Sequence, residues 1–332
     1  MLTTGTLIGT FAVGLIGSSA ASTAAVEPPA VRTAAPVEAV APNLSDPTTE
    51  VLDIEKDRNN RYTVPVMVEG SGPYDFMIDT GSQATAVTHQ INEGLELTPF
   101  GTATLVGMAS RRPVEVVEVA SMTFGTHTVT DLLSPVLDRR NVGADGILGL
   151  DSLQDFRVLI DFRDETIAVQ DMNEVENQRR GFEIVVRARQ ELGQLLITDA
   201  TIEGVRATVI IDTGAQASIG NPALQERIRT KRAEEIVTTD VNGVDIVGEL
   251  SFVRSLKIEG LSLQNVPLTF ADAPAFQALG LEDTPVIALG MQHLRIFDRV
   301  AIDFSNQRVL FDVPRDVARD LRRARRQGSR IR

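Results

Sequence analysis

A duplication inside the chain sets its architecture. Val68-Glu69-Gly70 leads through Phe76-Met77-Ile78 into Asp79-Thr80-Gly81-Ser82-Gln83-Ala84-Thr85, and Ile202-Glu203-Gly204 leads through Val209-Ile210-Ile211 into Asp212-Thr213-Gly214-Ala215-Gln216-Ala217-Ser218. Five of the seven residues in the second block are identical, and the other two exchange one small or hydroxyl residue for another. Further matches follow in the same order. Ser121-Met122-Thr123-Phe124-Gly125 answers Ser255-Leu256-Lys257-Ile258-Glu259-Gly260. Gly146-Ile147-Leu148-Gly149-Leu150 answers Ile287-Ala288-Leu289-Gly290-Met291, and Ile160-Asp161-Phe162 answers Ile302-Asp303-Phe304. The offset grows from 133 residues at the first Asp to 142 at the last pair, so the second copy carries small insertions. A repeat of this length is domain-sized and far too long for a solenoid unit.

Within the copies, short β-branched or alternating stretches are bounded by Gly, Pro and Asp, which is the pattern of strands joined by turns. The expected fold is therefore mainly β, with two similar lobes at 51–172 and 182–314 joined by a polar connector at 173–181. Composition narrows the chemistry. The chain has no Cys and three His (His89, His127, His293), which leaves no thiolate nucleophile and no dense metal-ligand set. The His are read as surface or packing residues, and no phosphate-cradling Gly-rich loop is present. Net charge is −13, and the last 18 residues hold eight Arg against two Asp, leaving −19 on the rest. A body that acidic repels phosphates, so nucleic acid is not an expected partner.

The chemistry lies in the repeated block. An apolar strand, Phe76-Met77-Ile78 or Val209-Ile210-Ile211, delivers an Asp from the interior, and Gly allows the tight turn that follows. A single buried Asp at a turn reads as a cap on its own loop. Two of them at equivalent places in a duplicated lobe would be brought side by side by twofold symmetry. Two adjacent carboxylates share a proton, so that one serves as general base on water while the other polarises a carbonyl. Amide hydrolysis by this route uses neither metal nor organic cofactor.

These motifs resemble those of the aspartic proteases of the pepsin/retropepsin clan, in a compact bacterial form with two tandem retropepsin-like lobes. The resemblance covers about 51–314. It implies two β-barrel lobes related by a pseudo-twofold axis, with an active-site cleft between them and Asp79 and Asp212 as the catalytic pair. It implies that the Thr80 and Thr213 hydroxyls lock the two turns together, supported by Gly81, Ser82, Gly214 and Ala215. Ile147-Leu148-Gly149 and Ala288-Leu289-Gly290 would pack behind them. Ser82 would hydrogen-bond the Asp79 carboxylate whereas Ala215 cannot serve Asp212, which would make Asp79 the more readily ionised partner. Thr85 and Ser218 are expected to satisfy backbone groups near the turns. Asp161, Asp303 and Asp145 read as turn residues, the first two on surface hairpins.

Candidate flaps over the cleft are Val106-Gly107-Met108 and Asn242-Gly243-Val244, hairpin tips by glycine content and position. The clan's pepsins carry a flap tyrosine, but the only two Tyr here, Tyr62 and Tyr74, precede the first motif, and Met108 would take that place. The expected activity is that of an aspartic-type endopeptidase acting on an extended polypeptide, and the alternative is an idle peptide- or ligand-binding module. No obligate dimer is implied, because the duplication supplies both halves of the site.

The amino end, Leu7 to Gly17 followed by small residues, reads as an export signal over 1–25 or as an anchor, although no Lys or Arg precedes Arg32. Residues 26–50 are Ala/Pro-rich and read as a linker or propeptide. The expected location is periplasmic or secreted. Membrane contact would come only through the N-terminus or the Arg-rich tail, 315–332.

Overall fold

A computed structural model describes residues 62–171, 184–191, 194–228, 234–259 and 261–314, together with short strand segments at 6–7, 13–14, 31–33, 49–52 and 55–56. Apart from those segments, the predicted export signal and Ala/Pro stretch lie outside the described residues, as do the 173–181 connector and the Arg-rich tail. Among the described residues no helix is long and apolar enough to cross a membrane.

Each copy of the repeat folds into the same closed sheet, so the two-lobed β reading is borne out. In the N-terminal lobe the strand Ser71–Ile78, which ends at the first Asp, runs parallel to Gly146–Leu148. That strand is antiparallel to Ala86–Thr88, which lies parallel to His127–Leu137. The order continues antiparallel through the long strand Arg111–Phe124, which pairs back with Tyr62–Val68 beside Ser71–Ile78 and closes a barrel. The C-terminal lobe repeats the circuit through Val205–Ile211, Val286–Leu289, Ile219–Gly220, Leu261–Phe270, Asp245–Ile258 and Gln194–Ile202.

Burial follows sequence pattern. Val253, Leu256 and Ile258 point inward from a strand whose alternate residues, Arg254 and Lys257, face solvent. The short strands Gly146–Leu148 and Val286–Leu289 have no polar face and are buried throughout.

The lobes are joined by a third sheet that the repeat alone does not reveal. The closing hairpins of both copies meet in it, with Phe156–Asp161 antiparallel to Arg299–Asp303. Here the reading of Asp161 and Asp303 as surface residues is corrected. They are 2% and 0% exposed. Asp161 Oδ1 does cap its turn, accepting from the N–H of Arg163 and Asp164. Asp303 accepts from the buried Arg157 guanidinium of the other lobe, at 2.6 Å from Nη2 and 3.2 Å from Nε. Burying Asp303 behind the joined hairpins requires such a partner, since an uncompensated buried charge is costly. Apolar side chains of both lobes and of this sheet form one contiguous core.

Candidate active site

Each Asp-Thr-Gly turn grows from a strand pinned on one side. Asp79 N–H donates to Leu148 O at 3.0 Å, and Asp212 N–H donates to Leu289 O at 3.1 Å. Behind each turn the chain passes so closely that a Cβ on Gly149 would stand 2.5 Å from the Ala84 backbone, and Gly290 faces Ala217 in the same way. Leu150 N–H then reaches Ser82 O, and Met291 N–H reaches Ala215 O, both at 2.8 Å. Ile147-Leu148-Gly149 and Ala288-Leu289-Gly290 thus lie against the turns.

The two turns meet through their threonines. Thr80 Oγ1 donates to Ile211 O and Thr213 Oγ1 donates to Ile78 O, each at 2.8 Å. Each hydroxyl oxygen also accepts the opposite backbone N–H, at 3.0 Å for Thr80 N and 3.2 Å for Thr213 N. Asp79 Oδ1 accepts from Gly81 N at 2.8 Å, and Asp212 Oδ1 accepts from Gly214 N and Ala215 N at 3.1 and 2.9 Å. The Asp79 carboxyl is seated against the second turn, where a Cβ on Gly214 would overlap its carbon and both oxygens. Asp79 and Asp212 are both 0% exposed.

Ser82 does not follow expectation. Its hydroxyl donates to Ala84 O at 2.8 Å, closing its own turn rather than reaching the Asp79 carboxylate. A hydroxyl has one proton to give, so the ground for expecting Asp79 to ionise more readily than Asp212 falls away.

Behind each turn sits a buried hydroxyl hub. Thr85 Oγ1 accepts Gly149 N–H and donates to Asp151 Oδ1 at 2.6 Å. Ser218 Oγ accepts Gly290 N–H and pairs at 2.6 Å with Nδ1 of His293. His293 is 1% exposed, and burial holds its pKa down at about 4, so the ring is neutral at neutral pH. The unfolded chain takes up this proton near pH 6.5 and the folded chain only near 4. Stability is therefore lost as pH falls through that window, by about 3 kcal/mol in full. Urea unfolding of wild type and His293→Gln at pH 7 and pH 4 checks this. The variant is expected to lose less stability than wild type over that interval, and equal losses would refute the account.

Three residues here had no place at the site from sequence alone. His293 is a packing residue, as expected, and the signal of its position behind the turn is the Gly-Met-Gln-His spacing after the second turn-backing element. Gln194, 0% exposed, donates from Nε2 to Gly81 O at 2.8 Å, a contact across 113 residues with no local signature. Asp240 joins the hairpin tips.

Those tips are turns at 107–110 and 241–244, between Thr98–Val106 and Arg111–Phe124 and between Glu234–Asp240 and Asp245–Ile258. Met108 is 1% exposed and belongs to the apolar cluster of the C-terminal lobe, with Ile210, Ala215 and Phe276. Val241 is equally buried in the N-terminal cluster, with Met77, Leu105 and Ile147. Gly243 has φ of 71°, a turn conformation that suits glycine.

No curated protein matches the chain. A family model described as aspartyl protease matches twice, over residues 64–152 and 198–292, one match on each lobe and each containing one Asp-Thr-Gly turn. Two matches together spanning more than half the chain, on two barrels of the same strand order, place it: the chain belongs to the aspartyl protease family.

Proposed function

We propose that the protein is an aspartic-type endopeptidase that hydrolyses peptide bonds between Asp79 and Asp212. The observation that carries this reading is the reciprocal threonine bonding of the two turns, with the Asp79 carboxyl lodged against Gly214. Fold retention alone would not call for a carboxylate at the same place in both copies. In the reaction one carboxylate takes a proton from water as the oxygen attacks the amide carbon, and the other, protonated, donates to the carbonyl oxygen. Collapse of the tetrahedral intermediate returns a proton to the leaving nitrogen. Neither step draws on a metal or organic cofactor.

The substrate is an extended polypeptide. The outer strands of the two hairpins have edges that accept backbone pairing: Thr6–Leu7 lies parallel to Thr104–Leu105, and Val13–Gly14 antiparallel to Thr239–Asp240. A peptide crossing a twofold axis must run parallel to one such strand and antiparallel to its mate, and strand addition supplies main-chain hydrogen bonds without demanding particular side chains. We assign the activity to exported or envelope polypeptides on the apolar amino-terminal stretch.

The second reading, an idle peptide-binding module, draws on the complete enclosure of both carboxyls. Incubation of the full chain with an unfolded protein between about pH 3 and 7 decides between them, with a chain carrying both Asp79→Asn and Asp212→Asn as control. Fragments made only by the wild type support the endopeptidase. Their absence from well-folded wild type, with envelope proteins also offered as substrates, would leave the binding module.

A further inference from the structure

Asp240 is a buried carboxylate for which the hydrolytic chemistry has no use. It is 2% exposed and ends the outer strand of the second hairpin. Its two oxygens do different things. Oδ1 accepts from the N–H groups of Asn242 and Val244, at 2.9 and 3.0 Å, and so shapes its own tip. Oδ2 accepts from Ala109 N–H at 3.1 Å and from the Ser110 hydroxyl at 2.8 Å, both on the tip of the other lobe. Asn242 Nδ2 adds a 2.9 Å bond to Ser110 Oγ. An ionised carboxylate can take four donors, and its hydrogen bonds are stronger than neutral ones.

The duplication explains why the contact is one-sided. At the offset of 133 residues that relates the two threonines, Asp240 corresponds to Gly107. A Cβ on Gly107 would stand 2.5 Å from Asp240 Oδ2, so one lobe supplies the charge and the other the space for it. The next pair at that offset is Met108 and Val241, each buried in the opposite lobe. The carboxylate bonds and the two apolar insertions hold the same pair of tips.

We infer that Asp240 is a positioning residue that fastens the two hairpin tips into one roof over Asp79 and Asp212, and that release of its Oδ2 contacts is what admits a peptide. Because the chain has no cysteine, a single thiol introduced as Met108→Cys in the full chain reports tip opening through its rate of reaction with an aromatic disulfide reagent. Asp240→Asn keeps an oxygen for Asn242 and Val244 but sets an amide NH2 against Ala109 N–H. The expected result is a thiol reaction faster by about tenfold or more, with Ser110→Ala giving a smaller change in the same direction. A thiol at Ala301→Cys, 0% exposed in the sheet between the lobes, should react at an unchanged rate. An unchanged rate at position 108, or equal acceleration at both positions, would overturn the inference.

Only the kinetic arm rests on the proposed endopeptidase activity. On a peptide substrate Asp240→Asn should lower KM severalfold with kcat no higher, because closed molecules withhold the site in proportion to their population. A faster thiol reaction without hydrolysis by either protein keeps the roof and removes the endopeptidase. Hydrolysis with neither thiol rate nor KM altered removes the roof and keeps the endopeptidase.

Discussion

Asp79→Asn and Asp212→Asn, made one at a time, are each expected to lower the rate of peptide hydrolysis by about a thousandfold or more. An amide can neither accept the proton of the attacking water nor donate one to the carbonyl oxygen. In the proposed chemistry the two carboxyls act as a unit, so the double variant should be hardly worse than either single one. The fold should survive these changes. Asn retains an oxygen to accept Gly81 N–H, or Gly214 and Ala215 N–H, and replacing one of two buried acids by a neutral group relieves like-charge crowding. Thermal midpoints unchanged or raised, beside lost activity, would separate chemistry from folding. Hydrolysis retained by either single variant would show that the pair is not the catalytic unit. Gly214→Ala is a steric companion test. The new methyl must displace the Asp79 carboxyl, and a displacement of about 1 Å costs on the order of a hundredfold in rate even though both acids remain.

Thr80→Val should cause the largest loss of stability among substitutions at the site, about 2–6 kcal/mol. The shape of the side chain is kept, but Ile211 O loses its donor and Thr213 N–H its acceptor, in a place buried from bulk solvent. Thr213→Val strands the symmetric groups, Ile78 O and Thr80 N. The two hydroxyls also stand 3.4 Å apart, so the double variant should lose less than the sum of the single losses. Urea midpoints for the four proteins test this, and a cost below about 1 kcal/mol for either single change would mean that the turns are held together by the surrounding sheet instead.

Much of this was legible because the gene-level duplication left the same local chemistry twice. A strand-turn motif such as Asp-Thr-Gly is encoded by neighbours in sequence, and so are the glycines that let the chain pass behind it. The two-lobed β architecture and the pairing of the motifs therefore followed from residues read in order. The assignment of Ser82 did not follow, because a hydroxyl in a tight turn chooses between acceptors a few ångströms apart. Here the Ala84 carbonyl lies within reach and takes the single proton.

What the sequence determined by itself is the repeating unit: a barrel lobe that ends an apolar strand in Asp-Thr-Gly and backs it with a second apolar strand. Beyond the threonine lock between the turns, tertiary structure alone decided how the two units grip one another. The shared sheet with Arg157 and Asp303, Gln194 reaching Gly81, and Asp240 reaching Ala109 and Ser110 join residues more than a hundred positions apart. Arg157 and Asp303 have counterparts in Arg299 and Asp161, yet Arg299 donates to Asp312, and Asp240 has only Gly107 as its counterpart, because one copy carries the charge and the other the room for it. Periodicity and local motif report what each copy buries for itself. Which of two similar copies carries the charge is settled only when both surfaces are in place.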